Sequence, residues 1–104
     1  MLGSIAADGR GRLLLAGSMI VTKGSRDGKE KMRRQSLFVL MRLRADGRLD
    51  HAFGPRGRVA ARFGSRNAIA SQVVLDSRGR AVLVGTYGRY DRQGVAVARY
   101  AIQR

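Results

Sequence analysis

Residues 8–18 read Asp8-Gly9-Arg10-Gly11-Arg12-Leu13-Leu14-Leu15-Ala16-Gly17-Ser18, and residues 76–86 read Asp76-Ser77-Arg78-Gly79-Arg80-Ala81-Val82-Leu83-Val84-Gly85-Thr86. Six of these eleven positions are identical, at an offset of 68 residues. Each stretch is a polar turn followed by an apolar run with a late glycine. Self-similarity at fixed spacing is the mark of a repeat architecture, in which each unit buries its apolar faces against its neighbours.

Outward from these two stretches the chain reads as strands between glycine-rich turns. Residues 2–7 form a short strand, and Arg12 to Val21 is a nearly continuous apolar run, as expected where both faces of a sheet are covered. Thr22 to Gln35 is expected to be a long basic loop. Ser36 to Arg44 forms a third strand, with Leu37, Val39, Met41 and Leu43 on one face and Phe38, Leu40, Arg42 and Arg44 on the other. An Asp46-Gly47 turn follows. Phe53 anchors an irregular stretch around Gly54, Pro55 and Gly57, and Arg58 to Phe63 is the fourth strand. The cycle then restarts with Ile69 to Leu75, Arg80 to Tyr87 and Val95 to Ile102. Arg99 matches Arg42 at an offset of 57, so the loop from Gly88 to Gly94 is about eleven residues shorter than its counterpart in the first unit. Residues 1–68 make a first repeat and 69–104 a second, truncated one. α-Helix content is expected to be close to nil.

The sequence has 104 residues, with 44% apolar side chains, 14 glycines, one proline and no cysteine. That is enough apolar content for a folded core. Without cysteine there is no disulfide, thiolate metal site or cysteine nucleophile. The opening Met1-Leu2-Gly3-Ser4-Ile5-Ala6-Ala7 has neither a basic leader nor a long apolar core and is not expected to act as a signal peptide. Every apolar run is far shorter than the roughly 20 residues of a membrane helix. The formal net charge is +14, from 21 basic and 7 acidic residues. Such a surface attracts polyanions, nucleic acid first among them. Only Lys23, Lys29 and Lys31 are lysines, so 18 of the 21 are arginine, which a GC-rich genome also produces without selection for binding.

Catalytic constellations are missing from this pattern. His51 is the single histidine and lies in a turn. No Gly-x-Ser-x-Gly elbow is present, and Gly9-Arg10-Gly11 lacks the third glycine and the following helix of a dinucleotide fingerprint. Asp8, Asp46, Asp50 and Asp76 lie in or beside glycine turns without the alternate spacing of a calcium loop, which suits them to turn stabilisation. Arg42 and Arg99 occupy equivalent places in apolar strands, where a guanidinium needs a partner or a route to water. A structural role is expected for them, reaching a turn aspartate or turn carbonyls. The one basic cluster placed to contact a partner is Lys23, Arg26, Lys29, Lys31, Arg33 and Arg34 in the 22–35 loop; it has no aromatic residue for base stacking.

The two halves of the unit, Asp8 to Gly17 and Phe38-Val39-Leu40-Met41-Arg42-Leu43-Arg44-Ala45-Asp46-Gly47-Arg48-Leu49-Asp50-His51-Ala52-Phe53-Gly54-Pro55-Arg56-Gly57-Arg58-Val59, resemble the delta-60 repeat family, a bacterial β-propeller-like repeat of unknown function. Asp76 to Gly85 and Val95-Ala96-Val97-Ala98-Arg99-Tyr100 supply the second copy. The matching repeat positions are Asp8, Gly11, Gly17, Arg42, Asp46, Gly47, Asp50, Phe53, Gly54, Gly57, Asp76, Gly79, Gly85 and Arg99. This chain departs from the pattern in its long basic first loop, an extra Arg-Gly step in the turns and a strongly basic surface. The resemblance leans toward a cell-surface or exterior setting, while the opening residues without a leader argue for the cytoplasm, so both compartments stand open; the resemblance carries no catalytic residues.

The expected fold is therefore all-β, with antiparallel four-stranded units of β-propeller-like type, about one and three-quarter blades in roughly seven strands. The expected function is a non-enzymatic structural or interaction scaffold, a fragment of a larger array or an associating protomer. Its partner is expected to be protein, through further repeats or self-association at open strand edges. No cofactor, metal or small-molecule substrate is expected. The alternative is a basic accessory protein that binds nucleic acid through the 22–35 loop.

Overall fold

A computed structural model describes residues 2–23, 33–63, 67–89 and 92–101. Seven strands run in chain order: β1 (Leu2–Ala7), β2 (Leu13–Lys23), β3 (Arg33–Leu43), β4 (Arg58–Ala61), β5 (Ala68–Leu75), β6 (Arg80–Arg89) and β7 (Arg92–Ala101). They form two antiparallel meanders, a four-stranded sheet ordered β1-β2-β3-β4 and a three-stranded sheet ordered β5-β6-β7. No α-helix occurs among the described residues; a single 3-10 turn covers Pro55–Gly57. Within that turn Arg56 adopts φ 57°, which sequence reasoning did not anticipate.

The repeat seen in the sequence is a repeat of structure. Ile5 pairs with Leu15 as Val73 pairs with Leu83, and Ala7 pairs with Leu13 as Leu75 pairs with Ala81. Both ladders slip at the same place, between Leu2 and Ser4 in one and between Ala70 and Gln72 in the other. A bulge adds one residue to its strand and re-aims the side chains beyond it. Its recurrence at an offset of 68 means that the two units bend alike.

The basic hairpin is longer than expected. β2 continues to Lys23 and β3 begins at Arg33, with Thr22 opposite Arg34 and Val21 opposite Gln35. Five residues assigned to the 22–35 loop are thus strand, because β-branched Val21 and Thr22 and the running ladder outweigh the local polarity. In the second unit the ladder likewise continues to Arg89 opposite Arg92. β4 ends at Ala61, short of Phe63, and β5 begins at Ala68.

The core lies between the two sheets. Leu14, Ala16, Phe38 and Leu40 face it from the first sheet, and Ala70, Val73, Ala81, Leu83 and Ala96 face it from the second. Alternation explains the choice: Leu14 and Ala16 project to one side of β2, Leu13 and Leu15 to the other. Large side chains on one sheet meet mostly alanines on the other, so the layers can approach closely while filling the space between them. The apolar run of β2 was expected to be covered on both faces. The second sheet packs on the Leu14 face, where Ile20, near the hairpin end, is nonetheless 64% exposed; on the other face Gly17, Leu37 and Val39 are buried while Leu13, Leu15 and Met19 are half-exposed.

Asn67 ties the layers where the chain passes from one to the other. Its side-chain oxygen accepts the Ser36 N–H of β3 at 2.9 Å, and its carbonyl accepts the Gly88 N–H of β6 at 2.9 Å. Phe63 adds an apolar tie, meeting Phe38 edge to face and stacking on Tyr87.

Candidate functional site

The polar residues that the repeat carries are organised as turn clamps. In the β1–β2 turn, Asp8 Oδ1 accepts the N–H of Arg10 at 2.8 Å and of Arg12 at 3.0 Å, while Oδ2 accepts Arg12 Nε–H at 2.6 Å. In the β5–β6 turn, Asp76 Oδ1 accepts the N–H of Arg78 and of Arg80, each at 2.9 Å, and Oδ2 accepts Arg80 Nε–H at 2.6 Å. Gly11 and Gly79 fill the same left-handed position in the two turns. One aspartate thus satisfies two backbone donors and a guanidinium, which is the local competition that draws aspartate into turns. Burial pushes the Asp8 carboxyl up, but the backbone and side-chain bonds and the Arg12 charge outweigh it and hold the group below its ordinary value. At Asp76 the Arg80 N–H leads and the result is again a lowered carboxyl.

The turn after β3 uses a different device. Asp46 Oδ1 accepts the Arg48 N–H at 2.9 Å, with Gly47 beside it. Asp50 then folds back onto the strand: Arg42 Nε donates to Asp50 Oδ2 at 2.8 Å, and the Asp50 N–H donates to the Arg42 carbonyl at 2.8 Å. The Arg42 side chain is fully buried, with its guanidinium carbon 4.9 Å from the centre of the Phe53 ring. Asp50 Oδ1 accepts the Ala52 N–H at 3.1 Å. Burial raises the Asp50 carboxyl; the Ala52 N–H, the charge and bond of Arg42 and the charge of Arg44 outweigh it, so it too is lowered. Gly54 and Gly57, both at positive φ, let the chain turn tightly enough to seat Phe53 over Arg42.

Arg99 differs from Arg42 despite the matching sequence. It lies exposed on β7. Gly17 and Gly85 sit opposite Val39 and Ala96, at matched points of the two ladders.

The basic cluster is only partly in view. Arg26, Lys29 and Lys31 lie outside the described residues, and Lys23 and Arg33 close the described hairpin as a cross-strand pair. Arg34, one step inward, is exposed. Further cations stand exposed where β2 begins and β3 ends: Arg10, Arg44 and Arg48, in turns that touch where Gly11 approaches Ala45.

His51 is exposed in its turn, and among the described residues no group of three His, Cys, Asp or Glu side chains is placed to hold a metal ion. Among the described residues, no helix is long and apolar enough to cross a membrane.

What sequence reasoning missed is an apolar surface. Ile69, Val74, Val84, Val95 and Val97 are all exposed, and register puts them on the face of the second sheet turned away from the core. The signal for it was present: β7 and β6 alternate valine with alanine, leucine or glycine, so neither face is polar. No family model matches this chain, no curated protein matches it, and no solved structure matches it.

Proposed function

We propose that this chain is a non-enzymatic β-repeat module of propeller-like type that works as an interaction scaffold for protein partners. The observation that carries the reading is the exposed face of Ile69, Val74, Val84, Val95 and Val97 on a sheet whose opposite face is already buried. A contiguous apolar patch on a folded chain marks an interaction surface. The edges support the same reading. Among the described residues β1 and β4 are the edge strands of the first sheet and β5 and β7 those of the second, and an edge strand is a template for pairing with another chain. The polar groups with lowered carboxyls, Asp8, Asp50 and Asp76, are spent on holding turns. A panel of hydrolase and transferase substrates is the direct test, and turnover abolished by His51→Ala would overturn the non-enzymatic reading.

A second reading rests on the exposed cations Arg10, Arg34, Arg44 and Arg48 together with the charge of +14: a sequence-independent nucleic-acid contact. Fluorescence anisotropy against duplex DNA and RNA across a salt series separates the two. The scaffold reading expects no binding at physiological salt. Binding that weakens steeply with salt, with a slope blunted by combined alanine substitution of Lys29, Lys31, Arg33 and Arg34, would replace it with the second.

A further inference from the structure

The interface between the two sheets contains its own template for a further one. On the covered face of the first sheet lie Ala6, Leu14, Ala16, Phe38 and Leu40. The offsets of 68 for β1 and β2, and 57 for β3, carry these to Val74, Val82, Val84, Val95 and Val97, which form the outer face of the second sheet. The face that covers the first sheet is built from Val73, Leu83, Gly85, Ala96 and Ala98. The same offsets carry it back to Ile5, Leu15, Gly17, Val39 and Met41, the outer face of the first sheet. Each unit therefore has a receiving face and a covering face. Within the chain the receiving face of unit one is joined to the covering face of unit two. The other receiving face is exposed at Val74, Val84, Val95 and Val97, and the other covering face is exposed at Ile5 and half-exposed at Leu15 and Met41, with Gly17 and Val39 buried between them.

The open pair is complementary in chemistry as well as by descent. Ile5 is 56% exposed, whereas its equivalent Val73 is 4% exposed inside the existing interface. Val95 is 73% exposed, whereas its equivalent Phe38 is fully buried. Between them the ten positions named on the open faces hold no charge. Arg99, which register sets beside Val82 on the edge strand, is exposed and can keep its head in water.

We propose that a second copy of this chain covers the outer face of the second sheet, docking with the outer face of its own first sheet as the two sheets already dock within one chain. The inference rests on the scaffold reading and names its partner. The contact is head to tail, a heterologous one, so it propagates into a ring or a stack. Three strands of eight to ten residues present a face of about 450 Å² in projection. That is small for a permanent interface, so assembly is reversible and follows concentration. Each copy carries +14, so repulsion opposes assembly and added salt strengthens it by screening. This is opposite in sign to binding of nucleic acid, which salt weakens.

Sedimentation equilibrium of the full chain is the test. The mass should climb above the 11.4 kDa protomer with concentration, and more steeply at high salt. Val95→Asp/Val97→Asp spoils the receiving face and Ile5→Asp the covering face. Each alone should stay monomeric, and an equimolar mixture should form a dimer that grows no further, since one sound face of each kind remains. Far-UV circular dichroism and melting establish that each variant is folded; Met41→Glu replaces Ile5→Asp if the latter is not. A parent monomeric at millimolar concentration in high salt overturns the proposal, as does an Ile5→Asp protein that assembles like the parent. Either failure leaves the scaffold reading standing unless the nucleic-acid titration is also positive.

Discussion

Gly85 runs so close beneath Ile69 that a Cβ on the glycine would fall on the Ile69 carbonyl oxygen, with the Ala70 Cα 2.9 Å away. The two residues belong to paired strands just before the bulge of β5, where the ladder draws the backbones together. Nothing in that contact can move cheaply, because both sides are main chain.

Gly85→Ala is therefore expected to cost about 1–3 kcal/mol, as overpacking of a filled site does. For a domain of this size that lowers the melting temperature by about 4–8 °C per kcal/mol. Gly9 has open space around its would-be Cβ and no positive φ, so Gly9→Ala should lie within about 0.5 kcal/mol of the parent. Chemical denaturation of the two variants side by side measures the difference.

The pair Arg42–Asp50 makes a second prediction. Arg42→Ala leaves Asp50 without its cation and opens a void against Phe53, in a site with no exposed arginine surface. Breaking one half of a buried ion pair costs about 3–5 kcal/mol. The matched substitution Arg99→Ala removes an exposed side chain and should change stability by less than about 0.5 kcal/mol. Equal losses at both positions would contradict the difference between the two units.

That difference also shows what was legible in the sequence. The turns were readable because Asp8, Asp46 and Asp76 act within five residues of themselves, on donors fixed by the local chain. The faces of β3 were readable for a similar reason, since alternation along one strand needs no partner. Three things depended on contacts between distant residues. The strands reach Lys23 and Arg33 because each supports the other, although Thr22, Arg34 and Gln35 read as loop. The shared bulge before Ser4 and Gln72 exists only in pairing with Gly17 and Gly85. Arg42 and Arg99 match in sequence, yet one is sealed beneath Phe53 and paired with Asp50 and the other lies exposed on β7. Sequence likeness fixed the equivalence of the two positions, and tertiary burial decided what each does.

Acid should unfold the protein by way of its turns. Asp8, Asp50 and Asp76 are all held below the ordinary carboxylate value in the folded state. A group lowered on folding adds stability above its unfolded pKa and loses it as pH falls through the folded one. Stability should thus be level near neutrality and fall as pH drops below about 4. Replacing Asp8 and Asp76 with asparagine should lower the plateau and flatten the fall, because the protons that linked folding to pH are gone. A parent as stable at pH 2 as at pH 7 would contradict the clamps' electrostatic role.

Phe63 is placed to couple the two sheets rather than to stabilise either alone. Its ring meets Phe38 of β3 at 4.9 Å with an interplanar angle of 68°, and stacks on Tyr87 of β6 at 6.1 Å and 18°. Truncating such a ring costs about 3–5 kcal/mol when it is fully buried; Phe63 is partly buried, so Phe63→Ala should sit at the lower end. Phe63→Leu keeps most of the apolar area and should lose only the aromatic pairing, about 0.5–1.5 kcal/mol for each contact. The distribution of the loss is more telling than its size. Local opening follows the elements that a contact holds in place, and the four-stranded sheet retains its long β2–β3 ladder without Phe63. Amide exchange in the Phe63→Ala protein should therefore accelerate in β5, β6 and β7 well before it does in β2 and β3. Uniform acceleration across all seven strands would mean that the sheets unfold as one unit and that the aromatic tie has no special place between them.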